Sequence, residues 1–142
     1  MIEKYIVKWL NDLKPKICAF SYITNNEPVV CQMGYVLLER YIILHTNTWT
    51  NKWKCIEDGQ IVALCMGTDF NSSFIQMKGS IKRIPFSNTE FIYLENAYLN
   101  DHPNSIAYAK KDRTGIFKIR IDKIQFAKIV NRNVEFEEWE LS

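Results

Sequence analysis

Ile17-Cys-Ala-Phe-Ser-Tyr-Ile23, Thr24-Asn-Asn-Glu-Pro28, Val29-Val-Cys-Gln-Met-Gly-Tyr-Val-Leu37, Leu38-Glu-Arg40 and Tyr41-Ile-Ile-Leu-His-Thr46 follow one another without interruption. Three apolar runs rich in β-branched and aromatic residues alternate with two short polar connections, which reads as strand, turn, strand, turn, strand. A parallel return would need a crossover of a dozen or more residues, so these strands run antiparallel as a meander. Upstream, Ile2, Tyr5, Ile6, Trp9, Leu10 and Leu13 recur at helical spacing and predict a helix over 2–13, ended by Lys14-Pro15. Its other face mixes Glu3, Lys4, Lys8, Asn11 and Asp12, which suits a helix packed on the domain rather than on a membrane.

Downstream, Trp49, Trp53 and Ile56 predict a short helix that ends near Gly59, and Ile61–Met66 resumes as a fourth strand. Gly67–Ser73 reads as a loop and Phe74–Ile84 as a long fifth strand closed by Pro85. Ser87-Asn88-Thr89-Glu90 has the form of a capping box and predicts a helix over 88–101 that turns Phe91, Leu94 and Tyr98 inward. Asp112-Arg113-Thr114-Gly115 reads as a turn, and Ile116–Ile121 and Ile124–Val130 as two more strands. The acidic tail, Glu135, Glu137, Glu138 and Glu140 with Phe136 and Trp139 interleaved, reads as a solvated edge strand. The expectation is an α+β protein built round an antiparallel barrel of six to seven strands with flanking helices. Without a repeat, low-complexity tract or linker, residues 1–142 are expected to form one domain.

Composition narrows the chemistry. Apolar residues make up 47% of 142, and 18 Lys and Arg against 16 Asp and Glu leave a net charge of +2, too little for a nucleic-acid binder. Every apolar run is far shorter than the roughly 18 residues that span a bilayer, and the N-terminus lacks the apolar core of a secretory signal. A cytoplasmic protein is expected. Cys18, Cys31, Cys55 and Cys65 form no C-x-x-C pair, and buried reduced thiols are the expected state of most of them. Two histidines, His45 and His102, and no H-E-x-x-H argue against a metal site. No nucleophile elbow, P-loop or dinucleotide glycine motif occurs, so no catalytic residue is nominated.

The segment that could carry chemistry is His45-Thr46-Asn47-Thr48-Trp49-Thr50-Asn51-Lys52. A strand ends in hydroxyls and amides, and a lysine follows six positions after Thr46. Hydroxyls with one ammonium make a phosphate site by ordinary electrostatics. A plain helix cap at Thr48 or Thr50, with Lys52 solvated, accounts for the same residues. His45 faces a ligand or serves a structural role, and both readings stay open.

The order of these elements, the pattern T-x-x-x-[ST]-x-K and the long strand Ile75-Gln-Met-Lys-Gly79-Ser-Ile-Lys-Arg-Ile84 with its central glycine resemble the FMN-binding split-barrel superfamily, that of pyridoxamine 5'-phosphate oxidase and its small relatives. The resemblance runs from Leu10 to about Val130. It implies a split barrel with FMN as cofactor, its phosphate held by Thr46, Thr50 and Lys52. It also counts Cys31, Gln32 and Met33 of the second strand, His45, and Asn51 among the cofactor-binding positions. A homodimer with the flavin between subunits, and hydride transfer to or from a small molecule, follow from the same likeness. Where the family commonly has arginine beside the phosphate lysine this chain has Asn51, and its second strand has no arginine. Pyridoxamine phosphate oxidation itself is therefore not expected. The alternative is a non-catalytic binder of flavin, deazaflavin or haem on the same fold.

Overall fold

The computed structural model describes residues 2–67, 72–108 and 113–141. Along the chain run α1 (Lys4–Asp12), β1 (Ile17–Thr24), β2 (Glu27–Gly34), β3 (Val36–Leu38), β4 (Tyr41–Asn47), α2 (Asn51–Cys55), β5 (Ile61–Met66), β6 (Phe74–Pro85), α3 (Phe91–Asp101), a 3-10 turn (Pro103–Tyr108), β7 (Thr114–Val130) and β8 (Asn133–Glu140). All pairings are antiparallel, in the order β2-β1-β5-β6-β7-β4-β3, with β8 also on β7. The antiparallel α+β barrel expected from the sequence is the architecture found.

Two of the expected strand runs differ in detail. The run 29–37 breaks at Tyr35, so β2 and β3 are separate and pair with different neighbours. Residues 116–130 form one strand, not two. The first half of β7 pairs with β4 and the second half with β8, while β6 spans both. The register shifts opposite Lys78 and Gly79, and Asp122-Lys123 marks this bulge rather than a turn. Where β7 changes partner, the Ile121 N–H donates to the Arg40 carbonyl at 3.0 Å and the Arg40 guanidinium donates to the Ile121 carbonyl at 3.1 Å. Backbone groups that the sheet no longer pairs are thus satisfied from the β3–β4 connection.

The capping box does not form. The α3 helix begins at Phe91 with no side-chain cap, the Asn88 side chain accepts from the Glu90 amide at 2.9 Å, and Glu90 reaches β7 to accept from the Lys118 ammonium at 3.1 Å. A tertiary ion pair outcompetes the local cap. Of the predicted turn at 112–115, Asp112 lies outside the described residues, and Thr114 already belongs to β7.

The strand β4 is apolar on both faces for a reason. Ile42 and Leu44 point into the main core with Phe20, Tyr35, Ile75 and Phe117, while Ile43 points to a second cluster under α3, with Phe91, Leu94 and Tyr98. The first helix closes one end of the barrel with Ile6 and Leu10 fully buried, and the Tyr35 hydroxyl donates to the Leu10 carbonyl at 2.7 Å.

Candidate functional site

The C-terminal end of β4 and the short helix after it place the predicted phosphate-binding residues. Thr46 follows Ile42 and Leu44 on the barrel-facing side of β4 and is 6% exposed. Its hydroxyl lies 3.4 Å from that of Thr50. The Thr50 hydroxyl donates to the Asn47 carbonyl at 2.8 Å and accepts from the Trp53 amide at 3.4 Å, which makes it the cap of α2. Lys52 is half-buried and has no ion-pair partner among the described residues. It comes close to Cys31 of β2: burial pushes the Cys31 thiol up, and the Lys52 ammonium pulls it back down in part. Cys31 and Met33 line the barrel side of β2.

So the fold brings Thr46, Thr50, Lys52 and Cys31 into one neighbourhood, with Met33 further along the same inner face. Three other positions lie differently. Gln32 is exposed on the outward face of β2, and Asn51 is exposed at the first residue of α2. His45 faces α3 instead of the barrel. Its ring stacks on Tyr98 with centroids 5.2 Å apart, and its Nε2 lies 3.0 Å from a Glu95 carboxylate oxygen. Tyr98 stacks in turn on His102 at 4.4 Å, and His102 Nε2 lies 2.8 Å from the Tyr35 carbonyl. Gly34 makes room for this stack, since a Cβ there would sit 2.7 Å from the Tyr98 hydroxyl.

Glu95 was not singled out by the sequence reading. It accepts from His45 and also from the Thr114 hydroxyl, 3.5 Å away. Its signal was present: Glu95 lies four positions after Phe91 and three before Tyr98, a carboxylate inside the apolar stripe of α3. No group of three or more His, Cys, Asp or Glu is disposed to hold a metal among the described residues. A cavity of about 500 Å³ lies elsewhere, on the outer sheet face, where Ala19, Ser21, Ala63 and Cys65 make a floor and Lys78 and Gln125 part of the rim.

No protein-family model and no curated protein matches the sequence. Solved structures do match. A general stress protein 26 from Bacillus anthracis superposes with a TM-score of 0.74 at 16% identity, over 96% of this chain and 99% of that one. The fold is the pyridoxamine 5'-phosphate oxidase-like split barrel. A pyridoxamine 5'-phosphate oxidase-related, FMN-binding protein from Nostoc punctiforme gives 0.64 at 10% identity, over 97% and 95% of the two chains. A haem-binding protein from Mycobacterium smegmatis gives 0.73 at 11% identity, with 99% of this chain matched to 60% of that one. Split barrels with different bound groups therefore share this backbone, and the side chains of the site must decide between them. No described helix is long and apolar enough to cross a membrane.

Proposed function

We propose that this split barrel is a cytoplasmic FMN-binding oxidoreductase of the pyridoxamine 5'-phosphate oxidase-like class, a homodimer in which a second copy completes the flavin site. The observation that carries the reading is Lys52, half-buried within reach of the Cys31 thiol, two residues after the Thr50 whose hydroxyl lies 3.4 Å from that of Thr46, and with no carboxylate to pair with among the described residues. An ammonium held partly out of water without a counter-charge is suited to an anion. Lys52 and the Thr46 hydroxyl are the residues that fit a phosphate. Thr50 serves chiefly to shape the helix, because its hydroxyl is committed to the cap.

FMN, when bound, supplies the redox chemistry by exchanging hydride with a small substrate. The chain's part is to hold the phosphate and shield the ring beside Cys31 and Met33. Haem fits less well. Histidine ligation of its iron would compete with contacts already made, since the Nε2 atoms of both histidines are engaged, at 3.0 Å to Glu95 and at 2.8 Å to the Tyr35 carbonyl. Pyridoxamine phosphate oxidation is not proposed, since Asn51 and β2 supply none of the family's arginines.

The test begins with the absorption spectrum of the purified protein and titration of FMN and riboflavin by fluorescence quenching. FMN is expected to bind about tenfold or more tightly than phosphate-free riboflavin. Equal affinities remove the reading. Reduction by a nicotinamide cofactor, then reoxidation by candidate acceptors, separates an oxidoreductase from a non-catalytic flavin carrier.

A further inference from the structure

The α2 helix has five residues, Asn51–Cys55, and a helix of that length does not hold itself in water. Something outside it must fix the direction in which Lys52 points. Thr50 caps one end. At the other, the Trp53 ring is pressed onto β7: a Cβ added at Gly115 would lie 2.4 Å from a ring carbon, and the Phe117 ring is 5.5 Å away between centroids. Above that ring stands Arg83 of β6. Its guanidinium carbon is 5.8 Å from the Trp53 ring centre, and its Nη1 donates to the Trp53 carbonyl at 3.1 Å. That carbonyl belongs to the last turn of α2, where an arginine satisfies an orphan acceptor and meets the negative end of the helix. Arg83 is itself held. Its amide donates to an Asp58 carboxylate oxygen at 2.8 Å, and its Nε lies 3.8 Å from the same atom.

We propose that Arg83 is the positioning residue for Lys52: it fixes α2 through the carbonyl and ring of Trp53, and so sets the direction in which the Lys52 side chain leaves the helix. The inference rests on the reading of Lys52 as a phosphate ligand. Arg83 touches no part of the phosphate site; its effect on an anion passes through the residue next to Lys52.

Four variants test it: Arg83→Gln, Arg83→Lys, Lys52→Ala and the double Lys52→Ala/Arg83→Gln. Hydrogen exchange of the ligand-free protein reads the anchor directly, at the amides of Lys54 and Ile56, which donate to the Thr50 and Lys52 carbonyls. Arg83→Gln is expected to speed exchange there about tenfold while leaving the β6–β7 ladder unchanged. FMN should weaken about five- to tenfold and riboflavin by less than about twofold. The double variant should bind FMN no more weakly than Lys52→Ala alone, because the two residues act as one unit. Arg83→Lys, which keeps a cation and a donor, should restore part of the loss. Unchanged α2 exchange, equal weakening of FMN and riboflavin, or additive losses in the double variant would each overturn the proposal. Faster α2 exchange in a protein whose wild type binds FMN no better than riboflavin keeps the anchor and removes the phosphate reading instead. Should Arg83→Gln fail to fold, Asp58→Asn loosens the same guanidinium and must give the same pattern, weaker in degree.

Discussion

Lys52 and Lys54 are two residues apart on one short helix, yet their surroundings differ: the first is half-buried next to Cys31, the second exposed. Lys52→Ala is therefore expected to cost FMN binding roughly 1.5–3 kcal/mol, about 10- to 150-fold, and to leave riboflavin nearly untouched. Lys54→Ala serves as the control and should change neither. Melting temperatures of both variants should stay close to wild type, as for most surface substitutions. Parallel titrations check this, and identical FMN affinity in all three proteins would reduce the segment to a helix cap. The thiols make a second residue-scale prediction. Cys18 is 1% exposed, and burial, with smaller contributions from Cys31 and Cys65, pushes it from an ordinary 9.0 up to about 12. The folded state thus holds that proton more tightly than the unfolded chain, so the stabilisation is complete below pH 9 and is lost as pH rises toward about 12. Urea denaturation followed against pH should show this alkaline decline, less steep in Cys18→Ala. The decline will not vanish, because burial also raises Tyr35. Alkylation mapped by mass spectrometry should reach exposed Cys55 first and Cys18 last.

Among the elements, α3, β4 and β7 share a part-buried polar contact centred on Glu95. Glu95 accepts from His45 and from Thr114, and Thr114 is completely buried. Glu95→Ala leaves both donors without that acceptor and is expected to cost about 1–3 kcal/mol in urea denaturation. Glu95→Gln keeps an acceptor and should cost less. If FMN sits at Thr46 and Lys52, neither variant should change FMN affinity by more than about twofold, since His45 and Thr46 point to opposite sides of β4. Helix and strand identities were legible in the sequence because they follow from local periodicity: the α1 stripe, the meander, and the apolar run of β4 needed no distant partner to be seen. The capping box was misread for the complementary reason. Glu90 has a partner, Lys118, that lies 28 positions away and is met only once β7 is in place.

On the scale of the whole molecule, the outer sheet face carries Ile23, Val30 and Ile61, exposed at 57%, 67% and 61%, around the floor of small residues Ala19, Ser21 and Ala63. A face of this kind suits a second copy, in keeping with the proposed dimer. Sedimentation at micromolar concentration should give a dimer, and Val30→Glu should shift it toward monomer and weaken FMN in step. A monomeric wild type would sink both the dimer and the composite site. The sequence by itself determined the class of the fold and the antiparallel sense of its strands, because turn residues, apolar periods and connection lengths act within a few residues of chain; it offered Thr46–Lys52 only as a candidate, through hydroxyls and an ammonium that a plain helix cap also explains. Only the tertiary structure decided that β7 is one strand serving β4 and then β8, that His45 turns to Glu95 while Thr46 turns to the barrel, and that Arg83 stands over Trp53. Each of these depends on which of two sheet faces, or which distant partner, a residue meets. That choice is made by long-range register and by the competition for burial across the whole sheet.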